Sequence, residues 1–485
     1  MCNKQCGLIA GAVVGGLLAV LGGILIPIGN SIIHGTIEKE AVIENGTVAY
    51  ENWVQTGGAV YRQFWFFDVK NPFEIIEHGA KPVVVEKGPY TYRTRYQPKE
   101  NITANSNNTI SFLLPYGAIF EPSMSIGSEA DNVTSLNLAV AGAFSLFPPW
   151  THSMLNQLIK NTNSSLFQYR TVQEILWGYR DPLLQNKMTG LFVPVSKTEY
   201  IYFLNYNGTF DGYYTVFTGK DDIRKTAMID RWKGERHLSY WNDTYCDMVN
   251  GTDGSSFAPF IDKKKPLYFF SSDICRSVYA EFESSQNLKG ITVYRYTLPP
   301  KTFAAPAVNL DNRCYCTDRV ATNNCTLGGI LDISRCKDGI PIYISLPHFL
   351  HGSEILKEAI TGINPHEDHH STYLDVEPFT GFSMRFAKRL QINLMIGPSQ
   401  KIEVLSKIKD NIFFPVVWLN ETAALDDATA EEFKASLTSR MELLETVEIT
   451  LIGIGLVIFL ACTISLCVFK NKKRGKEKKV TFIYG

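Results

Sequence analysis

Histidine and cysteine are the residue types in this 485-residue sequence whose spacing comes closest to a chemical signature. His366-Glu367-Asp368-His369-His370 fits the letter pattern HExxH. On a helix the outer histidines would sit one turn apart and hold zinc, with the glutamate as general base of a membrane-tethered metallopeptidase. That chemistry needs a helix through both histidines and a third ligand. Asn364-Pro365 can open a helix, but Ser371-Thr-Tyr-Leu-Asp-Val-Glu-Pro378 returns at once to strand-like spacing, and no third ligand stands out. The sequence therefore predicts a solvated loop and no metal. There is no P-loop, no Gly-x-Ser-x-Gly elbow and no dinucleotide fingerprint, so the chain reads as a non-enzyme without a cofactor.

Cys246, Cys275, Cys314, Cys316, Cys325 and Cys336 form an even set within residues 246–336 and predict disulfides whose connectivity spacing alone leaves open. The closest pair, Cys314-Tyr-Cys316, is spaced too tightly for a zinc hairpin. Cys2, Cys6, Cys462 and Cys467 lie at the borders of apolar runs, where thiols on the reducing side suggest S-palmitoylation; for Cys462 a small apolar span residue is the equal alternative. Asn-x-Ser/Thr acceptors begin at Asn45, Asn101, Asn107, Asn132, Asn163, Asn207, Asn242, Asn250, Asn324 and Asn420, all between those runs.

The runs themselves, 7–28 and 449–469, carry no charge, and each meets the roughly 20 apolar residues that a membrane helix needs. The first is too long for a signal-peptide core and lacks a small-residue cleavage site, so both are expected to span. Lysines crowd the tail 470–485, which places it and residues 1–6 in the cytoplasm and 29–448 outside. Gly7, Gly11 and Gly15 share one helical face, predicting self-association into a homo-oligomer or packing on the second span. The formal net charge of −1 sums a balanced ectodomain with a basic tail, which meets membrane lipids and not nucleic acid.

Strand signals dominate the external segment: residues 48–53, 61–69, 83–96 and 109–120 are rich in β-branched and aromatic side chains. The longest alternation runs over 381–396, with Phe382, Met384, Phe386, Leu390, Ile392, Leu394 and Ile396 on one face, as a barrel or curved sheet requires. Lys388 interrupts that face; a bulge or a snorkelling ammonium explains it, or else a buried carboxylate partner. Over about 132–180 the texture turns helical, with an Ala- and Leu-rich stretch at 136–144, helical spacing at 152–159 and a capping box at Thr171-Val-Gln-Glu174. Phe144, Leu146, Phe147 and Trp150 there read as core sooner than as a mobile lid.

Several longer motifs carry a resemblance that spans nearly the whole chain. They are Cys6-Gly-Leu-Ile-Ala-Gly-Ala-Val, Tyr61-Arg-Gln-Phe-Trp, Lys87-Gly-Pro-Tyr-Thr-Tyr-Arg93, Gly117-Ala-Ile-Phe-Glu-Pro122, Leu176-Trp-Gly-Tyr-Arg-Asp-Pro182, Phe270-Ser-Ser-Asp-Ile-Cys-Arg276, Ile344-Ser-Leu-Pro-His-Phe349 and Phe386-Ala-Lys-Arg-Leu-Gln391. In these the chain resembles the class B scavenger receptors, and among them the fatty-acid translocase branch. The resemblance implies an α+β fold: a large antiparallel β-barrel ectodomain with an apical helical bundle and an internal apolar tunnel, flanked by two transmembrane helices. It implies the pairs Cys246–Cys314, Cys275–Cys336 and Cys316–Cys325, and palmitoylation of Cys2, Cys6, Cys462 and Cys467. It implies long-chain fatty acids and oxidised lipoproteins as ligands, thrombospondin as an adhesive partner, and signalling kinases at the tail. Lys160, with Phe147, Leu155 and Ile159 beside it, is the ligand-binding set the family suggests. Three departures stand out: Lys160-Asn-Thr-Asn163 keeps one lysine of a lysine-rich stretch, Asn105, Asn107 and Asn108 replace acidic residues, and the tail is unusually rich in lysine. The tail has no acidic dileucine signal, which predicts a plasma-membrane address, in raft or caveolar domains, over a lysosomal one. An adhesion receptor without lipid transport is the alternative function.

Overall fold

A computed structural model describes residues 4–55, 58–186, 200–201 and 208–481. It divides into two units, one of Met1–Glu40, Lys289–Ile291 and Asp427–Gly485, the other of Ala41–Leu288 and Thr292–Asp426.

The first unit is built on two long helices, Lys4–Glu40 and Ser439–Thr481. Both are long and apolar enough to cross a membrane. At 1.5 Å per residue the first is about 55 Å long, well beyond an apolar bilayer core of about 30 Å, so the helix runs past the expected span of 7–28. The pair packs through small residues. A Cβ at Gly11 would meet Cys462 Sγ, and one at Gly15 would lie 2.8 Å from the Gly455 carbonyl; Gly22 and Gly29 meet the opposite helix in the same way. Gly7 touches nothing. The expected glycine face is thus corrected from Gly7, Gly11 and Gly15 to Gly11, Gly15, Gly22 and Gly29, spaced one and then two helical turns apart along the side that faces the second helix.

In the second unit the main sheet has eleven strands: β1 Val60–Val69, β2 Val84–Thr94, β3 Ala118–Phe120, β4 Leu267–Ser271, β5 Arg276–Leu288, β6 Ile291–Thr297, β7 Leu331–Asp332, β8 Tyr343–Ser345, β9 Tyr373–Val376, β10 Ser383–Ile396 and β11 Ile412–Ala424. Their order is β4-β5-β6-β9-β10-β11-β1-β2-β3, with β8 pairing β10 and β7 pairing β8. The pairings with a determined register are antiparallel. No pairing among the described residues joins β3 to β4, and the fold is the mixed helix and antiparallel sheet that the resemblance implies, without a closed barrel ladder among them. β10 and β11 form its longest ladder, from Arg385↔Ala424 to Ile396↔Ile412. A Cβ at Gly88 would lie 2.5 Å from the Phe64 carbonyl and 2.8 Å from the Trp65 ring, which is why Lys87-Gly-Pro needs its glycine where β2 crosses the irregular register at Trp65.

Two strand readings need correction. Residues 48–54 are helical, because the Thr47 hydroxyl caps the turn by accepting the Tyr50 N–H at 3.2 Å and Ala49 and Trp53 bury the inner face. Residues 109–120 break at Pro115 into Thr109–Pro115, which pairs in a separate four-stranded sheet, and β3.

The helical cluster forms as expected. Leu138–Leu146 starts at Asn137, whose side chain accepts from Ala139 and Val140; His152–Asn161 buries Leu155, Leu158 and Ile159; Val172–Trp177 starts at a complete Thr171–Glu174 capping box. The first two share a core with Phe67, Val84, Ile396, Phe414 and Trp418 of the sheet, whereas Val172, Ile175 and Leu176 of the third pack into another with Phe64, Phe66 and Tyr92. Disulfides join Cys246 to Cys314, Cys275 to Cys336 and Cys316 to Cys325 across a region of short turns with little sheet of its own.

Candidate functional site

A cluster of charged side chains lies on one face of the main sheet. Register sets Lys388 of β10 opposite Glu421 of β11, and Glu421 opposite Arg62 of β1. The three side chains therefore form a row across adjacent strands. Arg62 Nε donates to Glu421 Oε2 at 2.5 Å, and Arg95 places NH2 3.1 Å from Glu421 Oε1. Lys388 Nζ lies 2.5 Å from Asp273 Oδ2 and 3.4 Å from Glu421 Oε2. Lys388 thus has a buried carboxylate partner. The bulge or snorkelling reading is corrected: the β10–β11 register is regular at Lys388 and shifts only between Ile392 and Asn393.

Burial by itself would raise the pKa of Glu421, but Arg62, Arg95 and Lys388 outweigh it and hold the carboxyl at about 2. Asp273 behaves alike: burial is overcome by Lys388 and Arg62, and its carboxyl stays well below the ordinary range. These groups carry fixed charge at any physiological pH. Fixed charges of this kind can hold and orient an ion.

The opposite face of β10 is buried as well. Gln391 and Asn393 are fully buried; Gln391 accepts the His348 N–H at 2.7 Å, and Asn393 donates to Ser345 Oγ at 3.0 Å. His348 leads to a second cluster, in which Glu86 Oε2 accepts from His348 Nε2 at 2.7 Å and from Trp418 Nε1 at 2.8 Å. The His348 and His370 rings stack with centroids 4.5 Å apart. The three groups offer ligand atoms within 4.8 Å of one another, so a metal has to be considered. The Nδ1 atoms argue against it. That of His348 accepts the Asn364 N–H at 3.1 Å and that of His370 accepts the His366 N–H at 2.9 Å. Each neutral ring then carries its proton on Nε2, where a metal ligand must be bare, and the trio does not fit a metal ion. Burial, and next the neighbouring His348, push His370 down to about 3; burial works to raise Glu86, but the hydrogen bonds from His348 and Trp418 hold it below the ordinary carboxylate range.

The HExxH letters do not assemble. Glu367–His370 is a single turn, and His366 precedes it in extended conformation with its side chain in solvent while His370 is buried.

At the helical cluster, Phe147, Leu155 and Ile159 are 2%, 0% and 2% exposed. They are core residues, which corrects their assignment as ligand contacts; the apolar spacing that suggested a binding face is the spacing of a packed one. Lys160 is at the surface, 2.5 Å from Glu403. Trp150 is exposed.

Of the glycosylation acceptors, Asn45, Asn101, Asn107, Asn132, Asn163, Asn242 and Asn324 are exposed and Asn250 is half-buried. Asn420 is corrected: it is buried within β11 and its amide donates to Gln63 Oε1 at 3.0 Å, leaving no room for a glycan. Asn207 and Cys2 lie outside the described residues. Cys6 and Cys467 are exposed thiols, whereas Cys462 is half-buried, its Sγ close to where a Cβ at Gly11 would lie.

Sequence reasoning missed Arg62, Arg95, Asp273 and Glu421, and also Glu86 and His348. The one available signal was Lys388, a charge on an apolar face that had to be answered by a carboxylate on a neighbouring strand.

Comparison with known proteins agrees with this architecture. The CD36 family model matches residues 13–466. The chain is 35% identical over 412 residues to lysosome membrane protein 2 of Rattus norvegicus, covering 84% of each chain. It is 34% identical over 453 residues to scavenger receptor class B member 1 of Cricetulus griseus, covering 92% of this chain and 87% of that one. To lysosome membrane protein 2 of Homo sapiens it is 34% identical over 442 residues, covering 90% and 89%. With an apolar helix at each end and a family match that reaches into both of them, this two-pass membrane protein belongs to the CD36 family, the class B scavenger receptors.

Proposed function

We propose that the chain is a cell-surface receptor that binds long-chain fatty acids and the lipids of oxidised lipoproteins and passes them through an apolar route in the ectodomain. The observation that carries this reading is the extent of the match to scavenger receptor class B member 1, which covers 92% of the chain. Physical chemistry makes the activity reasonable without catalysis: each methylene taken from water contributes about 0.8 kcal/mol, so an apolar conduit holds and releases an acyl chain by burial alone. Residues 29–448 face outward and both termini lie in the cytoplasm, as the basic tail directs. The plasma membrane is the proposed address because the tail has no acidic dileucine signal, although similarity to lysosome membrane protein 2 supports a lysosomal one as the second reading. Surface biotinylation of a tagged full-length chain decides between them.

The functional test is uptake of a labelled long-chain fatty acid by cells expressing the chain, normalised to its surface amount. Uptake above that of vector controls is expected. Normal surface expression with uptake at the control level, together with adhesion to immobilised thrombospondin, would replace this reading with an adhesion receptor.

A further inference from the structure

Arg276, the first residue of β5, is 7% exposed in the disulfide-bonded region. Among the described residues it makes no ion pair, and after burial the groups that act on its charge are Tyr315, Tyr245 and Tyr279. Nη1 donates to the Thr302 carbonyl at 3.3 Å and Nη2 to Asn312 Oδ1 at 3.4 Å, both long contacts, and Nε is buried without an acceptor. The guanidinium lies 3.7 Å from the centre of the Tyr315 ring. That face eases the burial of a cation but supplies no negative charge. The surroundings are rigid. Asn312 Nδ2 donates to the carbonyls of Lys301 and Ala304 at 3.1 and 2.8 Å, which turns its oxygen to the arginine, and the Cys246–Cys314 bond ties down the turn Leu310–Tyr315.

Two cavities of about 40 Å³ each meet at Arg276. Each has room for a few waters or one small oxyanion. The cavity on one side holds Asp318 and Asp332, which accept the hydroxyls of Tyr343 at 2.6 Å and Thr317 at 2.7 Å, and two carboxylates disfavour an anion there. The other opens between Tyr245 and Tyr268, both exposed, and has one carboxylate, Asp311, exposed at its rim beside the Tyr245 hydroxyl. Nearby charges are answered. Asp243 and Asp247, which act on Tyr315, accept backbone N–H groups of Tyr245, Tyr240 and Trp241, and Lys301, 5.4 Å from the centre of the Tyr279 ring, pairs with Glu281 at 3.0 Å.

We propose that the cavity between Arg276 and Tyr245 binds a carboxylate, held by the guanidinium, whose apolar remainder lies on Tyr245 and Tyr268. A planar carboxylate matches the guanidinium fork, and Asp311 repels the second charge of a phosphate dianion. The site is separate from the lipid route proposed above, since a cavity of this size admits no acyl chain.

The full chain is placed in phosphatidylcholine nanodiscs, and saturation-transfer difference NMR is recorded with acetate, phenylacetate, phenylacetamide or inorganic phosphate, against empty nanodiscs. Phenylacetate is expected to bind about tenfold more tightly than each of the other three. Asp311→Asn, at an exposed position, is expected to raise phosphate affinity about fivefold and leave that of phenylacetamide unchanged. Arg276→Met is expected to weaken phenylacetate about tenfold with an unfolding temperature near native. Should that variant not fold, phenylacetate against phenylacetamide on the native chain, with Asp311→Asn, makes the same decision. Equal binding of phenylacetate and phenylacetamide would show that no charge is recognised and overturn the inference. Equal binding of acetate and phenylacetate would assign the site to a free small carboxylate and overturn the contact with the tyrosines. Asn250 adjoins the same cavity and is a glycan acceptor; phenylacetate bound by Asn250→Gln but not by the native chain would make the glycan the occupant and overturn the inference too.

Discussion

Two ion pairs in this molecule look alike as pairs of letters and differ in what they can do. At the helical cluster, Lys160 meets Glu403 with their side chains 52% and 67% exposed. In the sheet, Glu421 is 1% exposed beneath Arg62, Arg95 and Lys388. Water and salt share the first interaction, so the pair forms and breaks at little cost and leaves Lys160 available to a passing anion. The second is cut off from water, and each of its charges depends on the others. The exposed lysine can exchange partners at little cost, and the buried row holds a fixed field at one place in the sheet.

The sharpest way to break this contrast is Glu421→Gln. It leaves three cations around a neutral amide, and we expect a loss of about 3–5 kcal/mol in stability, read as a large drop in unfolding temperature or loss of the folded chain from the cell surface. A change within about 0.5 kcal/mol would mean that the row is as solvated as the Lys160–Glu403 pair.

Acid gives a finer distinction. A folded-state pKa of about 3 for His370 lies below the ordinary value of about 6.5, so the unfolded chain binds the proton first and stability falls as pH drops below about 6.5. By pH 5 the loss is about 2 kcal/mol. The pKa of Glu421, about 2, lies below the ordinary carboxylate value, so its contribution is present above about pH 4.3 and is lost only below it. Unfolding temperature measured from pH 7 to pH 5 should therefore fall in the native chain and stay nearly flat in His370→Gln. An equal fall in both would assign the acid sensitivity elsewhere.

The smallest effect belongs to the helical cluster. Lys160→Ala should change stability by less than about 0.5 kcal/mol, while lowering capture of anionic lipoprotein particles at low salt. Raising the salt should erase the difference between variant and native, because the site is exposed. A deficit that persists in high salt would point to a structural role.

What could be read from the sequence was what depends on neighbours along the chain. The terminal helices, the long alternation of β10, the helix at His152–Asn161 and the Thr171–Glu174 capping box are all periodic or local signals. The helix at Val48–Val54 was misread because Val48, Tyr50 and Trp53 favour strands in isolation, and its cap, Thr47, also completes the Asn45 acceptor triplet. The charged row could not be read at all: Arg62, Lys388 and Glu421 meet only through the register of three strands. Asn420 shows the same limit from the other side, since its triplet is intact as sequence and its side chain lies inside the sheet.

The central claim, that this receptor carries lipid, is tested most directly by the lipids that accompany it. The full-length chain, purified from expressing cells, would be extracted and its bound lipids identified by mass spectrometry against a two-pass membrane protein of another family prepared in the same way. Long-chain fatty acids or acyl lipids enriched over that control, near one per chain, are the predicted result. A folded chain whose lipid content matches the control would contradict the account.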